Sequence, residues 1–118
     1  MFVGGYNHRP NVDAVLWFMK EIYPLIRKTK NIPFYIVGSN PPVEILALKN
    51  KPGVIVKGYV TDEELNELYK TCKLVVVPLR YGAGIKGKVI EAMSKGMPIV
   101  TTTTGAEGIE GIEKIVPV

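Results

Sequence analysis

The apolar residues of this chain fall into two alternating rhythms. Short continuous runs, many of them β-branched, occur at Phe34-Tyr35-Ile36-Val37, Val54-Ile55-Val56, Leu74-Val75-Val76-Val77 and Pro98-Ile99-Val100-Thr101. Runs of this kind predict parallel strands covered on both faces. Between them the apolar positions recur at helical spacing. Val12, Val15, Leu16, Met19, Ile22 and Ile26 predict a long helix with Asn11 as its N-cap. Pro24 lies inside it and predicts a kink or an end, because proline removes a hydrogen bond to the turn before. A short helix is expected over 43–49, after Asn40-Pro41-Pro42. Thr61 and Glu64 have capping-box spacing, and the helix behind them is expected to bury Leu65, Leu68, Tyr69 and Cys72. A further helix is expected to start near Lys88 and to close on a left-handed Gly96. Residues 1–5 predict a short strand running into a glycine turn, and Ile115-Val116 a last short strand.

Alternation of strand and helix implies a parallel sheet with helices on both faces. In such sheets ligands bind beyond the carboxyl ends of the strands, where strand order reverses. Five loops, at 5–10, 38–41, 58–61, 79–87 and 102–108, are expected to converge on that rim. The opening strand is shorter than the usual ~5 to 6 residues, and no closing helix follows the loop after Thr101. Both features predict a domain clipped at its two ends, with residues 1–118 forming one unit.

Composition narrows the function classes. A hydrophobic content of 47% with 22% charged residues belongs to a globular chain. The net charge is +4, but its lysines are scattered rather than gathered into a basic stripe with interleaved aromatics, so nucleic acid is not the expected partner. No apolar run approaches the ~20 residues that span a bilayer. One cysteine and one histidine offer no metal-ligand cluster and no internal disulfide, which fits a reducing compartment.

The chemistry concentrates in the loop between the last two strands. Gly82, Gly84 and Gly87 sit at a strand-to-helix turn, where backbone without Cβ atoms can approach a ligand. The first helical amides lack intrahelical partners, and the helix dipole favours an anion there. Lys86 adds a cation at the same place, which a helix built only for stability would avoid. Together these predict a phosphate site. The same residues match G-x-G-x-x-G, with Glu107 about twenty residues on, as a dinucleotide site asks. The match is discounted because the glycines begin four residues after Pro78 and Glu107 lies well past the tip of the next strand. Glu91 shares a helix face with Lys88 and Lys95. It is either part of an exposed charge-laced face or an acceptor for two ribose hydroxyls.

Several strings then carry a resemblance: Pro78-Leu79-Arg80, Gly84-Ile85-Lys86, Lys88-Val89, Glu91-Ala92-Met93, Gly96, Pro98-Ile99-Val100 and Gly105-Ala106-Glu107-Gly108. With Phe2-Val3-Gly4, the string from Arg9 to Val15, Phe34 to Gly38 and Gly58-Tyr59-Val60, they cover nearly the whole chain. The sequence resembles the C-terminal domain of group 1 (family 4) glycosyltransferases, of the kind that build cell-surface polysaccharides. The resemblance implies a Rossmann-like doubly wound α/β domain, one half of a two-domain GT-B enzyme. It implies retaining transfer of a hexosyl-type sugar from a nucleotide-diphosphate sugar to a glycan or lipid-linked acceptor, with no cofactor and no metal required. Lys86 and Glu91 become the catalytic candidates. Gly4, Gly5, Arg9, Gly82, Ala83, Gly84 and Ile85 become donor-binding candidates, and Tyr59 and Val60 are expected near the base. Three positions depart from the family: Ala83 stands where a first glutamate is usual, and Gly5 and Pro10 stand where arginine and lysine are frequent, with Arg9 as a substitute. The acceptor half would lie outside this chain, so the domain alone is expected to bind a donor and transfer little. A cytoplasmic site, peripheral to the inner membrane face for the full-length protein, is implied, and an unpaired edge strand would favour a homodimer. The rival reading is a non-catalytic module of the same fold, holding a nucleotide or a partner protein.

Overall fold

A computed structural model describes residues 1–112 and 117–118, so the strand expected at Ile115-Val116 lies outside the described residues. The apolar runs form parallel strands β1 (Phe2–Val3), β2 (Phe34–Val37), β3 (Val54–Gly58), β4 (Val75–Val77) and β5 (Ile99–Thr101). β1, β2 and β3 pair in one group, and β4 with β5 in another. Met1 stitches the two groups together. Its nitrogen donates to the Leu74 carbonyl at 3.0 Å, and its own carbonyl accepts from the Val76 N–H at 3.0 Å. One residue bonding to two that lie two apart on its neighbour is the parallel ladder pattern. The strand order is therefore β3-β2-β1-β4-β5, and it reverses between β1 and β4.

The helices are α1 (Arg9–Trp17), α2 (Tyr23–Arg27), α3 (Val43–Leu46), α4 (Asp62–Thr71) and α5 (Gly87–Ser94). Right-handed crossovers put the helices of the β1-to-β3 connections on one face and α4 and α5 on the other. This is a Rossmann-like doubly wound architecture, as expected. The core is continuous through the sheet: Val12 and Val15 of α1, Ile36 and Val37 of β2, Val89 and Ala92 of α5 and Ile99 of β5 are all essentially inaccessible. Phe18, Tyr23 and Phe34 form a tilted aromatic cluster beneath α1, with centroids 4.6 to 6.1 Å apart.

Local signals explain the start of α4 and the end of α5. Thr61 and Glu64 close the capping box, each accepting from the other's backbone N–H at 3.1 Å. Gly96 has φ +71 and ends α5 in a Schellman pair, with its N–H donating to Met93 and the Met97 N–H to Ala92, both at 3.0 Å. Two expectations need correction. Asn11 is not the N-cap of α1; His8 holds that position. Pro10 lies within the first turn with its φ already set for a helix, so the helix begins three residues earlier. Pro24 does not end the helical run, which continues to Arg27. A π turn over Phe18–Ile22 stands just before it, with the Tyr23 N–H reaching back five residues to the Phe18 carbonyl.

Candidate functional site

A hollow of about 250 Å³ opens at the switch point between β1 and β4. Its floor is the apolar end of these strands, and its rim carries Gly4, Gly5, Asn11, Ala83, Ile85, Lys86 and Lys88. A second, wider hollow of about 630 Å³ lies between Met19, Pro24, Leu48 and Pro52, at the entry end of β2 and β3 rather than the carboxyl rim. The first has the place and the convergent polar groups of a ligand site.

Each wall of the rim has a local cause. After β1 the chain turns at Gly4 and Gly5, and Asn11 clamps the turn by donating from Nδ2 to the Gly5 carbonyl at 2.8 Å. Sequence reasoning gave Asn11 a capping role and missed this one, because the contact depends on where α1 starts. After β4 the loop runs through Gly82 and Gly84, both at positive φ, into the first residue of α5. Arg80 turns away from the hollow. It pairs through two nitrogens with the Asp13 carboxylate and lies over the Trp17 ring at 5.5 Å, which ties the loop to α1. The hydrogen bond from Arg80 holds the Asp13 carboxyl below its ordinary range.

Helix α5 begins without a side-chain cap and without an acidic residue in its first turn. Its first amides and its dipole are therefore open to an external anion. Lys86, at its N-cap, is only 14% exposed in its side chain. Its ammonium donates to the Gly84 carbonyl, contacts the Gly82 carbonyl at 3.5 Å, and lies 4.0 Å from a carboxylate oxygen of Glu107. The other oxygen of Glu107 accepts from the Gly84 N–H at 3.3 Å. One turn into α5, Glu91 accepts from the Lys88 ammonium at 3.0 Å.

The remaining sequence candidates are placed as follows. Arg9 points outward and pairs with Glu44 at 3.5 Å. Tyr59 is 75% exposed and Val60 packs partly against the core, both on the loop after β3, two strands from the hollow. Among the described residues no group of three or more His, Cys, Asp or Glu side chains could hold a metal ion. No helix of the described residues is long and apolar enough to cross a membrane.

Tyr69 of α4 was legible only as a core residue, yet it also lines the hollow. Among the described residues its hydroxyl is buried without a hydrogen-bond partner. Burial first, and then the charge of Glu91, push its pKa up to about 12. A buried hydroxyl left unpaired costs stability. Tyr69→Phe is therefore expected to raise the unfolding free energy of the ligand-free protein by about 1 kcal/mol, measured by urea titration. A loss of stability would mean that the hydroxyl has a partner in solution.

Comparison with known proteins agrees with this geometry. The family model for glycosyl transferases group 1 matches residues 1–117. A Klebsiella pneumoniae protein described as an uncharacterized 44.6 kDa protein in the cps region is 26% identical over 115 residues, covering 92% of this chain and 30% of its own length. An uncharacterized glycosyltransferase of Methanocaldococcus jannaschii, MJ1607, is 29% identical over 111 residues, covering 89% of this chain and 27% of its own length. No solved structure matches the chain. The chain thus spans less than a third of the length of either relative. Its parallel α/β order, its switch-point hollow and a family match running almost end to end place it together with them: the chain belongs to the group 1 glycosyltransferases.

Proposed function

We propose that this domain binds the donor, a nucleotide-diphosphate sugar, for retaining transfer of a hexosyl-type sugar to a glycan or lipid-linked acceptor. The observation that carries the reading is the meeting, at one hollow, of the uncapped start of α5, the largely buried Lys86 and the glycine turn after β1. Amides at 84–85 and at Gly5, with the Lys86 ammonium, form a cradle for a diphosphate, while the Gly4 N–H stays bonded to the Val37 carbonyl. Glu91 lies one turn further along α5 and is an acceptor for ribose hydroxyls once Lys88 releases it. The loop at Tyr59 and Val60 follows β3, two strands from β1 and hence roughly 10 Å away, a span that the nucleoside end of the donor can bridge.

The chemical work of such a cradle is to stabilise the leaving group. As the bond from the anomeric carbon to the diphosphate oxygen breaks, negative charge grows on that oxygen. Fixed amides, a helix start and a lysine cost no reorganisation as the charge appears there. Arg80, tied to Asp13, takes no part in this reading. An acceptor-binding half, pairing with this domain across a cleft, would complete the enzyme, in the cytoplasm and against the inner membrane face.

A ligand panel tests the proposal: UDP, GDP, ADP, their sugar conjugates and NADH, followed by thermal shift and calorimetry. A nucleoside diphosphate at a hundred times its dissociation constant is expected to add about 2.7 kcal/mol of stability. Stabilisation by NADH alone would replace the donor reading with a dinucleotide one. No response to any nucleotide would leave the rival, a module that binds another partner.

A further inference from the structure

Glu107 lies six residues beyond the end of β5, yet its carboxylate sits against the glycine loop after β4. Two features hold it there. Thr102 donates through its hydroxyl to the Leu79 carbonyl and accepts from the Gly105 N–H at 3.2 Å, which folds the start of the segment onto the loop. Gly108 then passes against Ile85 so closely that a Cβ would lie 2.6 Å from the Ile85 side chain. The carboxylate between these anchors takes the Gly84 N–H and faces the Lys86 ammonium. An ammonium has three donors. Two of those of Lys86 go to the Gly82 and Gly84 carbonyls, and Glu107 faces the ammonium as an ion pair at 4.0 Å. Two of the groups assigned to the diphosphate, the Gly84 N–H and the Lys86 ammonium, are thus engaged by the chain's own anion.

We propose that Glu107 is an internal competitor for the diphosphate seat, an autoinhibitory contact that an incoming nucleoside diphosphate must displace. The proposal rests on the donor-site reading above. A single N–H serves one good acceptor at a time, and a carboxylate and a diphosphate beside one lysine repel each other. Binding therefore requires Glu107 to swing outward. Its side chain is half exposed, so the released carboxylate has solvent to enter. The same contact favours release of the nucleoside diphosphate after transfer, because the seat never stands empty of an anion.

The test uses the full chain and the nucleoside diphosphate that binds best in the panel. Glu107→Gln and Glu107→Ala are expected to bind it about three- to tenfold more tightly than wild type, the range for loss of one exposed ion pair and one hydrogen bond. The amide resonance of Gly84 in the ligand-free protein should move in both variants, because its acceptor changes. Equal affinity in wild type and variants, with Lys86→Ala still weakened, would overturn the competitor and leave the donor site standing. Weaker binding of the sugar conjugate alone in Glu107→Gln would also overturn it and make Glu107 a sugar contact. Failure of wild type and variants alike to bind any nucleotide would overturn both readings.

Discussion

Lys86→Ala is expected to weaken nucleoside diphosphate binding by about ten- to a hundredfold, the range for losing a charge-assisted hydrogen bond to phosphate in a partly buried site. The ligand-free protein should lose little stability. Lys86 occupies the positive end of α5, where a cation is unfavourable, so relief of that conflict offsets the lost contacts to Gly82 and Gly84. A control separates charge from loop shape: the matching nucleoside, which has no phosphate, should bind wild type and variant equally. If both ligands lose affinity together, Lys86 shapes the loop and does not hold the diphosphate. Salt adds a second readout, since the wild-type affinity should fall more steeply with ionic strength than that of the variant. Lys86→Arg should recover only part of the loss, because a planar fork does not fit the nearly buried pocket of a compact ammonium.

The sequence made this experiment conceivable, because the signals at 82–87 are local. Strand, glycine turn and helix follow each other within one unit, and the helix start is marked by what it lacks. The same holds for the capping box at Thr61 and for Gly96, whose geometry depends on a few neighbouring residues. What stayed hidden is non-local. Glu107 meets Gly84 across 23 residues of chain, and Tyr69 of α4 lines the hollow beside β4 and the start of α5. The spacing from the glycines to Glu107 was readable only as a discounted dinucleotide pattern, and the Tyr69 contact leaves no spacing to read. The π turn at Phe18–Ile22 was hidden for another reason. A proline inside a helical pattern can end, kink or widen the helix, and packing decides which; here Phe18 and Tyr23 are both held in the aromatic cluster with Phe34. Lys86 shows both limits together: its place was legible, and its engagement with Glu107 was not.

Gly38→Ala is expected to be among the most destabilising single changes in the domain, at about 3 kcal/mol or more. Gly38 follows β2 with φ +147, and a Cβ there would lie 1.5 Å from the Gly4 carbonyl oxygen and 2.6 Å from the Gly4 carbonyl carbon. The obstacle is backbone, so no rotamer change relieves it. The carboxyl ends of β1 and β2 must part, which threatens the bonds from the Gly4 N–H to Val37 at 3.0 Å and from the Gly38 N–H to Gly58 at 2.9 Å. Domains of this size have roughly 5 to 15 kcal/mol in total, so the variant should unfold at much lower urea. Gly96→Ala supplies the comparison. Its φ of +71 is also strained for alanine, but a Cβ there meets nothing within 4 Å. It should cost only about 1 kcal/mol, the backbone part of the penalty. The difference between the two isolates the steric term at the β1–β2 seam. Because Gly4 lines the hollow, Gly38→Ala should also weaken nucleotide binding under conditions where it remains folded, whereas Gly96→Ala should not. Equal losses of stability in the two variants would mean that β1 and β2 do not close on each other as described, and the switch point between β1 and β4 would lose its fixed wall.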